Sequence, residues 1–334
     1  MALRLLSLLS ALHCILAAIV TPARFAATSW TNITPGVRVY FATSDRTGIQ
    51  ELATNGDPNA NPNTYKSWQQ AIVLTTVSTA TSSDFAAVNS NGQKIFVFFE
   101  RDGDNGETSL ASVQWTSITG WTIGDFSVPS GSFRPGTRIA AAVLASGQTS
   151  VFYQDVSNLV YEKAYDGSHW SEPLLVGFGG EDTELATCVY TEKSTGIEKM
   201  FVYMRDTRSS QIYEYLWQTK SSTWNVNPVP NFSTTGSLAV VNLWGTTSYT
   251  FFPTSDGKIW EVDGYSGTWF NIRDLANPSN VALGSDITAT VQIVNDREWM
   301  YVFFTGPNGT LWQESYTWTG TDNSDWADPF MLTI

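Results

Sequence analysis

Short runs of apolar residues, many aromatic or β-branched, alternate with polar turns along this chain, and the runs fall into six registered copies. The most aromatic run of each copy reads Val37-Arg38-Val39-Tyr40-Phe41, Phe96-Val97-Phe98-Phe99, Ser150-Val151-Phe152-Tyr153, Phe201-Val202-Tyr203-Met204, Tyr249-Thr250-Phe251-Phe252 and Tyr301-Val302-Phe303-Phe304. Cβ branching and large rings favour extended backbone, so each run is a predicted strand. Long helical periodicity is absent. Each run is followed by a polar turn, a further strand that usually carries Glu, and a tryptophan: Trp68, Trp121, Trp170, Trp224, Trp269 or Trp326.

The tryptophans recur at intervals of about 45 to 57 residues, which suits a four-stranded propeller blade. Ahead of each aromatic run lies a segment rich in small residues: Phe25-Ala26-Ala27-Thr28, Phe85-Ala86-Ala87-Val88, Ile139-Ala140-Ala141-Ala142, Leu185-Ala186-Thr187-Cys188, Leu238-Ala239-Val240-Val241 and Ile287-Thr288-Ala289-Thr290. Six innermost strands converging on an axis leave little room for side chains, and the aromatic strands further out fill the widening wedges. The pattern predicts an all-β, six-bladed β-propeller with four antiparallel strands per blade. One blade cannot bury both its faces, so residues 24–334 are expected to form a single domain.

Residues 1–23 read as a secretory signal peptide: an early Arg4, an apolar run from Leu5 to Val20, then small residues that allow cleavage after Ala23 or after Ala18. The run is short for a membrane-spanning helix, so no membrane insertion is expected. The chain is therefore expected to be secreted. The sequons at Asn32, Asn231 and Asn308 then become candidate glycan acceptors, the first weakened by Pro35. A net charge of −13 disfavours nucleic acid and anionic membranes, both of which need clustered Lys and Arg.

Removal of the leader takes away Cys14 and His13 and leaves Cys188 and His169 as the sole Cys and His. That excludes an intrachain disulfide and His/Cys metal clusters, and no metal or cofactor is expected. Cys188, in an inner strand, reads as a small buried apolar residue. His169 reads as part of a hairpin turn, Asp166-Gly167-Ser168-His169-Trp170. Paired carboxylates of the glycosidase kind would have to come from Asp102, Asp104, Asp155, Glu181, Asp182, Glu184 or Asp206, all in turn contexts.

The Glu of the third strand recurs in register as Glu51, Glu162, Glu214 and Glu261. A carboxylate accepts hydrogen bonds from vicinal hydroxyls and a neighbouring ring covers the apolar face of a sugar, so these are candidate sugar ligands. The other reading is a solvated blade edge, where charge discourages edge pairing.

Arg38-Val39-Tyr40-Phe41 with Ile49-Gln50-Glu51 and Trp68, and Val151-Phe152-Tyr153-Gln154-Asp155 with Tyr161-Glu162-Lys163-Ala164-Tyr165-Asp166-Gly167-Ser168-His169-Trp170, resemble blades of fungal fucose-specific lectins of the Aleuria aurantia lectin type. The resemblance spans essentially the whole mature chain. It implies pockets between adjacent blades, each built from an Arg, a Glu and a Trp or Tyr, that bind fucose without catalysis or metal, in proteins that are commonly dimers. It also implies glycans as partners.

The chain departs from that pattern at the Arg place, which holds Phe96, Ser150, Phe201, Tyr249 and Tyr301 in the other five copies. The Glu place holds Ser112 in the second copy and Gln313 in the sixth, with Glu314 one residue on and therefore facing the opposite way. The complete set is expected to be Arg38, Glu51 and Trp68, with degenerate sites at Glu162 with Trp170, Glu214 with Trp224 and Glu261 with Trp269. Arg101 and Arg205, in turns after their strands, are either substitute cations or plain turn residues. The alternative functions are a secreted interaction scaffold that has lost sugar binding and a carboxylate glycosidase.

Overall fold

A computed structural model of the chain describes residues 24–30, 36–54, 68–74, 77–90, 93–103, 105–192, 194–206, 208–209, 211–219, 221–229, 234, 236–243, 247–265, 268–275, 281–282, 284–294, 297–318, 326–327 and 329–332. The expected leader at 1–23, Asp104, the sequons at Asn32 and Asn231 and the Asn308 side chain lie outside the described residues.

The strands form six four-stranded antiparallel sheets, each built from four consecutive strands. Blade 1 holds β1 (Phe25–Trp30), β2 (Gly36–Ala42), β3 (Ile49–Thr54) and β4 (Gln69–Leu74). Blade 2 holds β5 (Phe85–Ser90), β6 (Lys94–Asp102), β7 (Thr108–Thr116) and β8 (Gly120–Val128). Blade 3 holds β9 (Ala140–Val143), β10 (Thr149–Gln154), β11 (Leu159–Tyr165) and β12 (Leu174–Phe178), and blade 4 holds β13 (Leu185–Thr191), β14 (Glu198–Asp206), β15 (Gln211–Gln218) and β16 (Ser221–Pro228). Blade 5 holds β17 (Ala239–Leu243), β18 (Thr247–Pro253), β19 (Ile259–Tyr265) and β20 (Thr268–Asp274); blade 6 holds β21 (Ile287–Val294), β22 (Arg297–Thr305), β23 (Leu311–Trp318) and the two-residue β24 (Phe330–Met331).

The small-residue strands β1, β5, β9, β13, β17 and β21 neighbour one another in a closed ring, as their sequence demands. They surround a central cavity of about 110 Å³, lined by residues such as Ala26, Ala86, Ala140 and Ala186. The ring closes where β1 meets β21: Phe25 N donates to Asp286 Oδ2 at 3.1 Å and Ser29 Oγ donates to the Val291 carbonyl at 2.5 Å.

The core is six wedges, one between each pair of adjacent blades. Each closing tryptophan lies within the fourth strand of its blade or up to four residues ahead of it, and lays its ring edge-on against the second-strand aromatic of the preceding blade. The pairs are Trp121 on Tyr40, Trp170 on Phe98, Trp224 on Phe152, Trp269 on Tyr203, Trp326 on Phe251 and, across the closure, Trp68 on Phe303, with ring centroids 5.6 to 5.9 Å apart. Such edge-to-face pairs contribute about 0.5–1.5 kcal/mol each beyond the area they bury. The tryptophans thus tie blade to blade. Register shifts between third and fourth strands in the first five blades bend the outer strands over these wedges.

One mouth of the channel is ringed by the residues that precede the small-residue segments: Arg24, Asp84, Arg138, Glu184, Ser237 and Asp286. Several accept from the first N–H of the next blade, Asp84 from Ile139, Ser237 from Ile287 and Asp286 from Phe25, at 2.7 to 3.1 Å. Arg138 sits among the carboxylates, 2.6 Å from Glu184, 3.1 Å from Asp286 and 3.6 Å from Asp84. Burial works against its charge, but those three carboxylates overcome the penalty and hold the guanidinium protonated.

Candidate functional site

Antiparallel register places the third-strand acid opposite the second-strand aromatic in four blades: Tyr40 faces Glu51, Phe152 faces Glu162, Tyr203 faces Glu214 and Phe251 faces Glu261. The same register puts Ser112 opposite Phe98 and Gln313 opposite Phe303. Residues directly opposite share a face of the sheet, so each acid points into the wedge that receives the next blade's tryptophan. Glu314 pairs with Val302 and takes the other face.

None of the four glutamates is a solvated edge residue. Glu51 is 8% exposed, Glu162 5%, Glu214 3% and Glu261 0%. A buried carboxylate needs partners, and the four clefts satisfy it differently. Glu162 accepts from Ser150 Oγ at 2.6 Å; Glu214 accepts from the Tyr203 hydroxyl at 2.8 Å and from Asn227 Nδ2 at 3.3 Å; Glu261 accepts from Trp326 Nε1 at 3.0 Å. Glu51 lies 3.3 Å from Arg38 Nε, and both side chains keep some access to solvent, 17% for Arg38 and 11% for Glu51. Here the registered acid meets an Arg of the second strand, whereas Glu261 stands in register with Arg273 of the fourth strand.

Burial raises the Glu51 carboxyl above the ordinary glutamate range, while Arg38 and the adjacent Tyr40 pull it back. The Tyr40 hydroxyl lies beside Glu51 without completing a hydrogen bond of good geometry, and burial with the neighbouring carboxylate pushes it well up. Glu162 and Glu214 are also raised, again chiefly by burial.

The aromatic partner differs from the sequence expectation. Trp68 is not in the cleft of Arg38 and Glu51; it packs on Phe303 in the wedge between blades 6 and 1. Trp121 of blade 2 takes that place, with its cross-strand neighbour Trp115 in the same wedge. The shift by one blade applies all round the ring: Glu162 shares its cleft with Trp224, Glu214 with Trp269 and Glu261 with Trp326, while Trp170 faces Ser112 of blade 2. Trp68, Trp224 and Trp269 bury their Nε1 groups without an acceptor, and Trp170 and Trp326 donate to Asp125 and Glu261. Trp121 belongs to neither set.

Phe96, with Lys94 stacked 4.4 Å above it, occupies the Arg place of the second cleft, and Ser112 is too short to reach past it. Phe201 stacks on Tyr190 at the Arg place of the fourth blade. The Arg38 cleft combines a second-strand cationic donor, an anionic acceptor and indole surface, which together fit a neutral ring bearing vicinal hydroxyls.

A sequence profile described as fungal fucose-specific lectin matches residues 15–231. The chain belongs to that family. No curated protein matches it in sequence. Among solved structures it is similar to the Aleuria aurantia lectin, a six-bladed β-propeller with 19% identity, a TM-score of 0.69 and coverage of 92% of this chain and 95% of that one. It is also similar to AofleA from Arthrobotrys oligospora, at 15% identity, TM-score 0.72 and coverage of 94% and 88%, and to an Asn-to-Gln variant of the Aleuria lectin solved with α-methyl-L-fucoside, at 20% identity, TM-score 0.70 and coverage of 92% and 94%. These likenesses show the fold, and family and fold together indicate non-catalytic carbohydrate binding.

The remaining sequence candidates serve the backbone. Arg205 ends β14 at the channel mouth, where it donates to the Thr234 carbonyl at 3.1 Å and lies 3.8 Å from Glu184, at the opposite end of its blade from the sugar clefts. Arg101 falls at the same end of β6, one place beyond Gln154 in register, because Glu100 holds that position. Neither substitutes for Arg38. Asp155 and Asp206 cap turns through backbone N–H groups, and Glu181 and Asp182 pair with Arg134. Asp166 gathers the His169 and Ser168 N–H groups in the hairpin turn, which hold its carboxyl down at about 2, and Gly167 supplies the positive φ of 103°. Burial pushes the Cys188 thiol up to about 12, as suits a core residue.

Proposed function

We propose that this chain is a secreted lectin that binds fucose or fucosylated glycans in the cleft between blades 1 and 2. The carrying observation is the Arg38–Glu51 pair beside Trp121, set between blades of a chain in the fucose-specific lectin family. Relatives solved with α-methyl-L-fucoside and with Fucα1-6GlcNAc support the ligand class. Arg38 donates to ring or hydroxyl oxygens, Glu51 accepts from hydroxyls, and Trp121 provides the apolar wall. The clefts of Glu162, Glu214 and Glu261 act as degenerate sites, since their carboxylates are already bonded within the protein. Residues 1–23 serve as the leader, and dimerisation multiplies the single strong cleft, because linked weak sites gain about 10² to 10⁴ in effective affinity.

Calorimetric titration with α-methyl-L-fucoside tests this reading. The wild type is expected to bind, Trp121→Ala to lose most of the affinity, and Trp68→Ala to keep it while melting at lower temperature. Binding that survives Trp121→Ala would move the ligand to another cleft. The scaffold alternative draws on the self-satisfied carboxylates of the other clefts, and a folded wild type that binds no fucoside would favour it.

A further inference from the structure

The third blade breaks the repeat on its face toward blade 2, away from the Arg38 cleft. In register with Lys163 of β11 stand Leu52, Val113, Tyr215, Val262 and Glu314, and in register with the pair Tyr153 and Tyr161 stand Phe41 with Gln50, Phe99 with Ala111, Met204 with Tyr213, Phe252 with Trp260 and Phe304 with Trp312. Blade 3 alone puts two hydroxylated rings side by side there, and adds a cation.

Those residues line a cavity of about 370 Å³ between the end of β8 and the blade 3 sheet. That volume lies within the roughly 300–1,000 Å³ of small-molecule sites. Its floor is the Tyr153–Tyr161 stack, with centroids 6.3 Å apart and planes 28° apart. Its mouth carries Lys163, Asp155 and Glu172. The cavity lies in the wedge between blades 2 and 3, with Glu172 two residues from Trp170, and so is separate from the Arg38 cleft between blades 1 and 2.

The lining selects the chemistry. Lys163, held by the Ser127 carbonyl at 3.2 Å, opposes a cationic ligand, and the two carboxylates oppose an anion. Tyr153 is 1% exposed and lines the cavity. Burial, with Tyr161 and Asp155 beside it, pushes its hydroxyl up to about 12, so it stays a neutral donor at physiological pH. A neutral phenol at a cavity wall can donate to an acceptor that enters it. A neutral molecule with hydroxyls and an apolar face satisfies every group present.

We propose that this cavity is a second ligand site, for a neutral hexose ring, independent of the Arg38 cleft. The sugar lies against Tyr161, takes a hydrogen bond from Tyr153, and gives hydroxyl hydrogens to Asp155 and Glu172.

Saturation-transfer NMR on the full chain carrying Arg38→Ala tests it, with methyl α-glucoside, methyl α-mannoside, methyl β-galactoside and methyl β-N-acetylglucosaminide as probes. Transfer to at least one of the four is expected, and adding Ser132→Trp, at an exposed lining position, is expected to abolish it without lowering the melting temperature. Tyr161→Ala serves as the second variant and is also expected to abolish transfer. No transfer to any of the four, or transfer unchanged by Ser132→Trp, overturns the proposal. Transfer to a proline-rich peptide in place of all four sugars does so too. Titration of the wild type with α-methyl-L-fucoside reports separately on the Arg38 cleft, so the two readings fail independently.

Discussion

Arg38→Ala is expected to weaken binding of α-methyl-L-fucoside by about ten- to a hundredfold, the equivalent of the roughly 1.5 to 3 kcal/mol carried by a charged hydrogen-bond donor. The loss has two parts. The ligand forfeits its donor, and Glu51 forfeits the cation that pulls its raised carboxyl back down. In the wild type, binding that depends on ionised Glu51 should fall as pH drops through that raised range. In Arg38→Ala the fall should begin at higher pH, because burial then acts unopposed. Calorimetry at several pH values measures both. If the variant binds more weakly but follows the wild-type pH profile, Arg38 contacts the sugar and does not tune Glu51. Unchanged affinity at neutral pH would remove the cleft from the mechanism.

The fold could be read from the chain because a propeller writes its geometry into composition copy by copy. Alanine-rich segments mark the axis, aromatic segments the wedge, and the registered glutamates share one face because a strand alternates with period two. The vacancies at Ser112 and Gln313 and the reversed facing of Glu314 follow from the same counting. Which tryptophan meets which glutamate does not. That depends on how successive sheets are inclined in the closed ring, so Trp121 and Trp326 replace Trp68 and Trp269 as neighbours of Glu51 and Glu261. The burial of the glutamates was open for a related reason, since a lone blade offers both a solvent edge and a wedge.

Turn positions held the largest surprises. Arg205 and Arg101 sit next to the aromatic strands in sequence, yet strand length carries them to the far end of the blade from Arg38. Arg138 had no distinguishing context in the chain, because its importance comes from residues 46, 54 and 148 positions away that converge only when the ring closes. A signal was present in hindsight: a charged or polar residue precedes each small-residue segment, from Arg24 to Asp286.

That ring carries the largest expected effect on stability. Arg138→Ala leaves Asp84, Glu184 and Asp286 facing one another in a buried site, and removing one partner of a buried ion pair costs about 3 to 5 kcal/mol. The cost should depend on pH. Burial drives the Asp286 carboxyl up to about 7 even with Arg138 present, against about 3.9 in an unfolded chain. A carboxyl raised by folding holds its proton more tightly in the native state, so its contribution favours the fold below about pH 4 and is lost as pH rises through about 7. Without Arg138, which pulls it down, the Asp286 carboxyl holds its proton to still higher pH. Urea unfolding is therefore expected to show the variant far less stable than the wild type at pH 8 and much closer to it at pH 4.5, with Arg138→Lys intermediate because it keeps the charge but not the fork that reaches three acids. Parallel stability curves over that range would mean that Arg138 supports the mouth by packing alone. In that case the carboxylates must be neutralised by water or backbone donors, not by the guanidinium at their centre.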